Sequence, residues 1–181
     1  MIKFKKLLLC FFLSTSLTVI AEEAEQTYGD WEVGSFIYNK TPFSFANTTN
    51  DSNSTLGVIC MESSDTCMPY VVNRLSCEND GKYPALVSID GGIASIEMSC
   101  LIIEDRYLFL LPDSQLDYIL TSNSFGIAFG TNIGKFKAAY FSLAGSAKAV
   151  IAAKLTIDAI PSSKSKSSSD KESSNFKDTV L

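Results

Sequence analysis

The sequence has no histidine in 181 residues, one tryptophan, and 15 basic residues against 20 acidic ones. Without histidine, neither Ser-His-Asp nor Cys-His catalysis is available, and the commonest zinc ligand is missing. The formal charge of −5 argues against nucleic acid as a partner, because neutralising phosphates takes clustered lysine and arginine. No D-x-D-x-D-G calcium loop occurs. Gly126-Ile127-Ala128-Phe129-Gly130 lacks the spacing of a dinucleotide or Walker loop, so no phosphate site is expected. What remains is 46% hydrophobic and 19% charged, the composition of a chain that folds around a core.

Residues 1–21 read as a secretory signal peptide. Lys3, Lys5 and Lys6 give the positive start, Leu7 to Leu13 the apolar stretch, and Val19-Ile20-Ala21 the small residues that precede cleavage after Ala21. The apolar stretch is about half the length a membrane-spanning helix needs, so the expectation is export and removal. Cys10 follows Leu7-Leu8-Leu9 within that stretch, where lipidation would require a small residue just before the cysteine. The remaining 160 residues carry a charge of −8, suit one domain, and disfavour anionic lipid surfaces. The membrane is met only through the signal peptide. The expected location is the periplasm or the secreted space, and a lysine-led, Phe/Leu-rich signal favours a bacterial host.

An even count of four late cysteines, Cys60, Cys67, Cys77 and Cys100, reads in an exported chain as two disulfides. Three pairings are possible, and the favoured one is Cys60 with Cys67 and Cys77 with Cys100. On the chain-entropy account each bond contributes about 2.5–3.5 kcal/mol. The spacing offers no C-x2-C knuckle for zinc, and no histidine is present to activate a thiolate, so neither a metal nor a cofactor is expected.

The organisation expected for the rest is a short acidic leader at 22–27, a β-rich domain at 28–160, and a disordered Ser/Lys-rich tail at 161–181. Asp30 to Tyr38 alternates into a first strand with Trp31 and Val33 on one face. Asn39 to Thr55, dense in Asn, Ser and Thr, reads as a long exposed loop with at most a short strand at Pro42 to Phe45. Strands are expected at Leu56 to Met61, Met68 to Asn73, Tyr83 to Asp90, Ile93 to Leu101 and Arg106 to Leu111. Asp90-Gly91-Gly92 is a hairpin turn signal, and Ala94, Ile96, Met98 and Cys100 are expected to face inward. Asp113 to Ser122 suits a short helix through Leu116, Ile119 and Leu120. Phe125 to Thr131 and Lys135 to Leu143 read as a second hairpin, with Phe136, Ala138 and Tyr140 facing inward. Gly145 to Lys154 reads as a closing helix capped by Ser146, with Ala149, Val150 and Ala153 against the sheet.

Two further patterns have bland explanations. The sequons at Asn39, Asn47, Asn50 and Asn53 would mark a glycosylated loop in a secreted eukaryotic-type glycoprotein, yet any Asn/Ser/Thr-rich loop produces sequons. The acid pairs Glu104-Asp105 and Asp113/Asp117 sit in turn-like or helix-start contexts where carboxylates face water, so no catalytic residue is assigned.

Tyr28-Gly29-Asp30-Trp31-Glu32-Val33 and Phe141-Ser142-Leu143-Ala144-Gly145-Ser146-Ala147-Lys148-Ala149 stand at the two ends of this domain. The first resembles the Gly-Asp-Trp-x-Val opening of the invasion-associated locus B family of exported bacterial envelope proteins. The second resembles that family's closing strand and Gly turn into an Ala-rich helix. Gly29, Asp30, Trp31, Val33, Phe141, Leu143 and Gly145 carry the likeness, while Ser35 lies where the family has a cysteine shortly after its Val. The resemblance implies a non-enzymatic, sandwich-like envelope protein involved in host contact.

From the residues themselves the expectation is a mainly β fold: a disulfide-stapled antiparallel β-sandwich or partly open barrel with one or two short helices. Function is expected through binding to a protein partner that the sequence does not identify. An acidic inhibitor plugging the basic cleft of an envelope-attacking hydrolase is the alternative.

Overall fold

The computed structural model describes residues 26–62, 66–103, 105–130 and 135–159. The expected signal peptide, the tail and the turn at 132–134 lie outside the described residues. The described chain forms an antiparallel sheet of ten strands and two helices. The strands are β1 (Gln26–Tyr28), β2 (Trp31–Tyr38), β3 (Thr41–Thr49), β4 (Thr55–Met61), β5 (Cys67–Val72), β6 (Lys82–Ile89), β7 (Gly92–Ile103), β8 (Arg106–Leu110), β9 (Ser124–Gly130) and β10 (Phe136–Ser142). The helices are α1 (Ser114–Thr121), between β8 and β9, and α2 (Ser146–Ala159), after β10. Gln26 and Thr27, placed by the sequence in the leader, already pair with Val33 and Glu32.

The spatial order is β1-β2-β3-β4-β5-β8-β7-β6-β9-β10. The first five strands run as a meander. The chain then crosses to β6 and returns through β7 and β8 to pair with β5. The crossing segment is fastened to β7 by the Cys77–Cys100 disulfide, by Asp80 N–H to the Cys100 carbonyl at 2.9 Å, and by Cys100 N–H to the Gly81 carbonyl at 2.9 Å. At the β6–β7 turn Asp90 (φ 46°) and Gly91 (φ 85°) are both left-handed, as a two-residue primed turn requires.

The sheet curls into an open half-barrel. Phe109 on β8 and Phe129 on β9 sit three strands apart, about 14 Å in a flat sheet at ~4.8 Å per strand. Their rings nevertheless stack at 6.1 Å, with Tyr83 edge-on to Phe109 at 5.4 Å. The concave side holds the main core, including Trp31, Leu56, Val58, Val71, Met98, Ile119 and Phe125. Helix α2 lies against β2, β3 and β4 with Ala149, Val150 and Ala153 buried, the face expected from the sequence.

Four details differ from the sequence expectation. Residues 41–49 are not loop but a nine-residue strand, β3. Its inward residues are Ser44, Ala46 and Thr48, and its outward ones include Phe43 and Phe45. The small polar residues face in because α2 lies close: the fully buried Ser44 hydroxyl donates to the Ala153 carbonyl at 2.7 Å. The pattern therefore reads as a loop when judged by the usual apolar-in rule. Strand β10 has the opposite phase to that expected. Ala139 and Phe141 are buried, while Phe136 and Tyr140 are 75% and 70% exposed. Phe141 pairs with core residue Phe125, and Tyr140 lies instead over Gly126 on the convex side. Ala94 shares the inward face of Met98 and Cys100 but is exposed, because the β6–β7 hairpin tip runs beyond the core. Helix α2 continues past Lys154 to Ala159, and Ser146 does not cap it. The Gly145 carbonyl accepts from Ala149 N–H at 3.0 Å, while the Ser146 hydroxyl donates to the Ile119 carbonyl of α1 at 2.6 Å.

Candidate functional site

The residues singled out at the two ends of the domain meet in space. Strand β10 is the last strand of the sheet, and one edge of it has no strand partner. Three alternate carbonyls along that edge are nonetheless occupied. Asn50 Nδ2 donates to the Tyr140 carbonyl at 3.2 Å, Trp31 Nε1 to the Ser142 carbonyl at 3.1 Å, and Asp30 N–H to the Ala144 carbonyl at 3.0 Å. A side-chain amide, an indole and a main-chain amide thus cap the edge and clasp the entry to β2 to the segment that leaves β10. Two glycines make the approach possible. Gly29 (φ +61°) and Gly145 (φ +96°) adopt left-handed conformations, and a Cβ on either would fall on the main-chain carbonyl of Ala144 or Tyr28 respectively. Trp31, Val33, Phe141 and Leu143 lie beside this clasp in the main core. The clasp therefore brings together all seven residues that carry the family likeness.

Beside the clasp runs a groove of about 560 Å³, bordered by Tyr28, Gly29, Leu120, Ser122, Ala144 and Lys148. Tyr28, Leu120 and Leu143 give it larger walls between stretches of glycine, alanine and serine, and Lys148 brings a cation. Its border includes no carboxylate and no thiol, and the nearby Ser146 hydroxyl is already committed to α1. Such a surface can take a peptide or a small group by contact. Among the described residues no group of three or more His, Cys, Asp or Glu side chains could hold a metal ion.

The four cysteines form two bonds, Cys60–Cys67 and Cys77–Cys100, with Cα separations of 4.1 and 6.1 Å. The first joins directly opposed residues of β4 and β5. The sequon asparagines are scattered. Asn39 (φ 49°) sits in the β2–β3 turn, and Asn53 (φ 54°) in the β3–β4 turn. Asn50 uses its Oδ1 to accept from Ser52 and Ser54 N–H. Asn47 sits on β3, where its side chain hydrogen-bonds Tyr70. Burial pushes the Tyr70 phenol up to about 12, partly offset by that bond and by the Arg106 charge. The carboxylates of Asp113 and Asp117 are exposed, and Asp105 occupies a left-handed turn position.

Sequence reasoning missed the capping role of Asn50 and the depth of Tyr70. Asn50 lies in a stretch read as loop, and nothing local marks it as reaching a strand 90 residues away.

A curled, open antiparallel half-barrel, stapled by two disulfides and closed at its edge by a clasp between its ends, is the class of fold these features define. Among solved structures the chain is similar to invasion associated protein B from Bartonella henselae. The TM-score is 0.52 at 14% identity, covering 75% of this chain and 97% of that one. The fold implied by the end motifs is thus the fold observed. No family model matches the chain, and no curated protein matches it by sequence.

Proposed function

We propose that this protein is an exported bacterial envelope protein that works by contact with another protein, as an accessory to host contact, and not by catalysis. The observation that carries this reading is the shared fold with invasion associated protein B over 97% of that chain. The expected amino-terminal signal, the two disulfides and the acidic charge balance fit a small domain living in an oxidising space. The groove beside the clasp, walled in part by Tyr28, Leu120 and Leu143 with Lys148 at its border, suits recognition by contact.

The test has two arms. Cell fractionation with amino-terminal sequencing is expected to place the protein in the periplasm or medium, beginning at Glu22. Recovery in the cytosol with reduced thiols would end the reading. The oxidised protein, immobilised and exposed to envelope extract, is expected to retain a protein partner saturably and without turnover. Absence of any saturable partner, or turnover of an envelope component, would refute the contact role.

A further inference from the structure

The two disulfides occupy different settings. Cys60, Cys77 and Cys100 are all buried in the main core, and Cys67 alone is only partly buried against it. Cys60 and Cys67 lie at the last paired rung of the β4–β5 hairpin and line a cleft of about 120 Å³. Glu62, Thr66, Lys154 and Asp158 form its other walls, the last two from α2. Within the bond, Cys60 is 1% exposed and Cys67 is half-buried, so Cys67 is the more accessible residue of the pair.

From this geometry we infer that Cys60–Cys67 is an exchange-active disulfide, a site where a small thiol entering the cleft is captured covalently at Cys67. The attacking thiolate forms a new S–S bond with Cys67 Sγ as the Cys67–Cys60 bond breaks, and the electron pair leaves on Cys60 as a thiolate. The departing Cys60 thiolate forms in a cleft that Lys154 also lines. The step reverses when Cys60 attacks the mixed disulfide and expels the small thiol, so no other oxidant or reductant is required.

The fold survives the opening because the bond is redundant with its surroundings. The β4–β5 ladder pairs Thr55 through Cys60 with Val72 through Cys67, and β3 flanks β4 on the other side. Cys77–Cys100 instead fastens the segment that crosses from β5 to β6, which no strand ladder holds and which two main-chain hydrogen bonds to Cys100 also tie.

The test incubates the oxidised protein with reduced glutathione under native conditions, alkylates free thiols and maps them by peptide mass spectrometry. The expected product carries one glutathione on Cys67, an alkylated Cys60 and an intact Cys77–Cys100 bond. Its formation is expected to be at least about tenfold faster than modification at Cys77 or Cys100, as access to the attacked sulfur dictates. Comparable modification of the core pair, an adduct on Cys60 instead, or no adduct before denaturant is added would each overturn the inference. As a second measurement, the Cys60→Ser/Cys67→Ser protein is expected to melt cooperatively with native near-UV circular dichroism. Failure of that variant to fold would show the bond to be a structural staple and would overturn the inference too.

Discussion

The convex face of the sheet is built in two ways. On β2, β3, β4, β5 and β8 it carries a second apolar cluster, with Phe43, Ile59, Tyr70 and Leu108 buried and Phe36, Met61, Met68 and Leu110 packed on them. The register sets these side by side: Phe36 opposes Phe43, which opposes Met61, while Phe45 opposes Ile59, which opposes Met68. Rings lie flat over glycines, Phe45 across Gly34 and Tyr70 across Gly57, and Phe36 stacks on Phe43 at 5.2 Å. Ile103 and Leu101 at the end of β7 still belong to this cluster, but on β6, the hairpin-tip half of β7, β9 and β10 the same face is nearly bare. Ser95, Leu86, Ala128 and Ala138 form one row across it, and Leu86, Ile93, Phe136 and Tyr140 are exposed. One backbone architecture thus supports a sheet with apolar packing on both faces in one half and on the concave face alone in the other. What separates them is the packing across neighbouring strands: Phe36, Phe43 and Phe45 shield one another, whereas Tyr140, also over a glycine, lies beside a row of small residues and stays exposed.

Mutations can break or sharpen this contrast. The largest effect is expected where both halves depend on one residue: Trp31→Ala empties a fully buried site and removes the cap on Ser142, costing about 3–5 kcal/mol in denaturant unfolding. Ile59→Ala probes the packed convex half and is expected to cost about 2–4 kcal/mol. A loss below about 1 kcal/mol there would mean that the convex cluster is only surface. The third test is pH. The Tyr70 phenol titrates near 10 when unfolded and at about 12 when folded, so the folded state favours the neutral form. Its stabilising share is whole below pH 10 and is lost as pH rises from 10 toward 12, by roughly 1.4 kcal/mol per unit at most. Unfolding free energies measured across that window should fall less steeply for Tyr70→Phe. The smallest effect is expected from Leu86→Ala on the bare half, within about 0.5 kcal/mol of wild type by the same unfolding measurement.

Much of this architecture was legible in the sequence wherever an apolar run bounded by turn residues follows the rule of large apolar side chains inward. Strands β4 to β9, the Asp90-Gly91 turn and the buried face of α2 stand where such signals place them. Strand β3 escaped because it inverts the rule: Ser44, Ala46 and Thr48 turn inward to admit a helix at close range, and the phenylalanines turn out. Strand β10 was read in the wrong phase because Tyr140 and Phe141 are adjacent aromatics that must face opposite ways, and only the partner strand decides which goes in. The clasp was visible as two sets of residues but not as one object. Its bonds are long-range, and local patterning carries no information about which distant carbonyl an indole will meet.

The Trp31–Ser142 hydrogen bond spans 111 positions of the chain. A segment laid down near the beginning therefore waits, with its tryptophan unsatisfied, until almost the whole domain has been made and has curled back on it. Such wide separation between partners makes folding slow and leaves an interval in which the outer edge of β10 is uncapped. Wherever the chain matures, that closing step is the moment at which it is most exposed to pairing with a neighbour, and the capped edge is what ends the exposure.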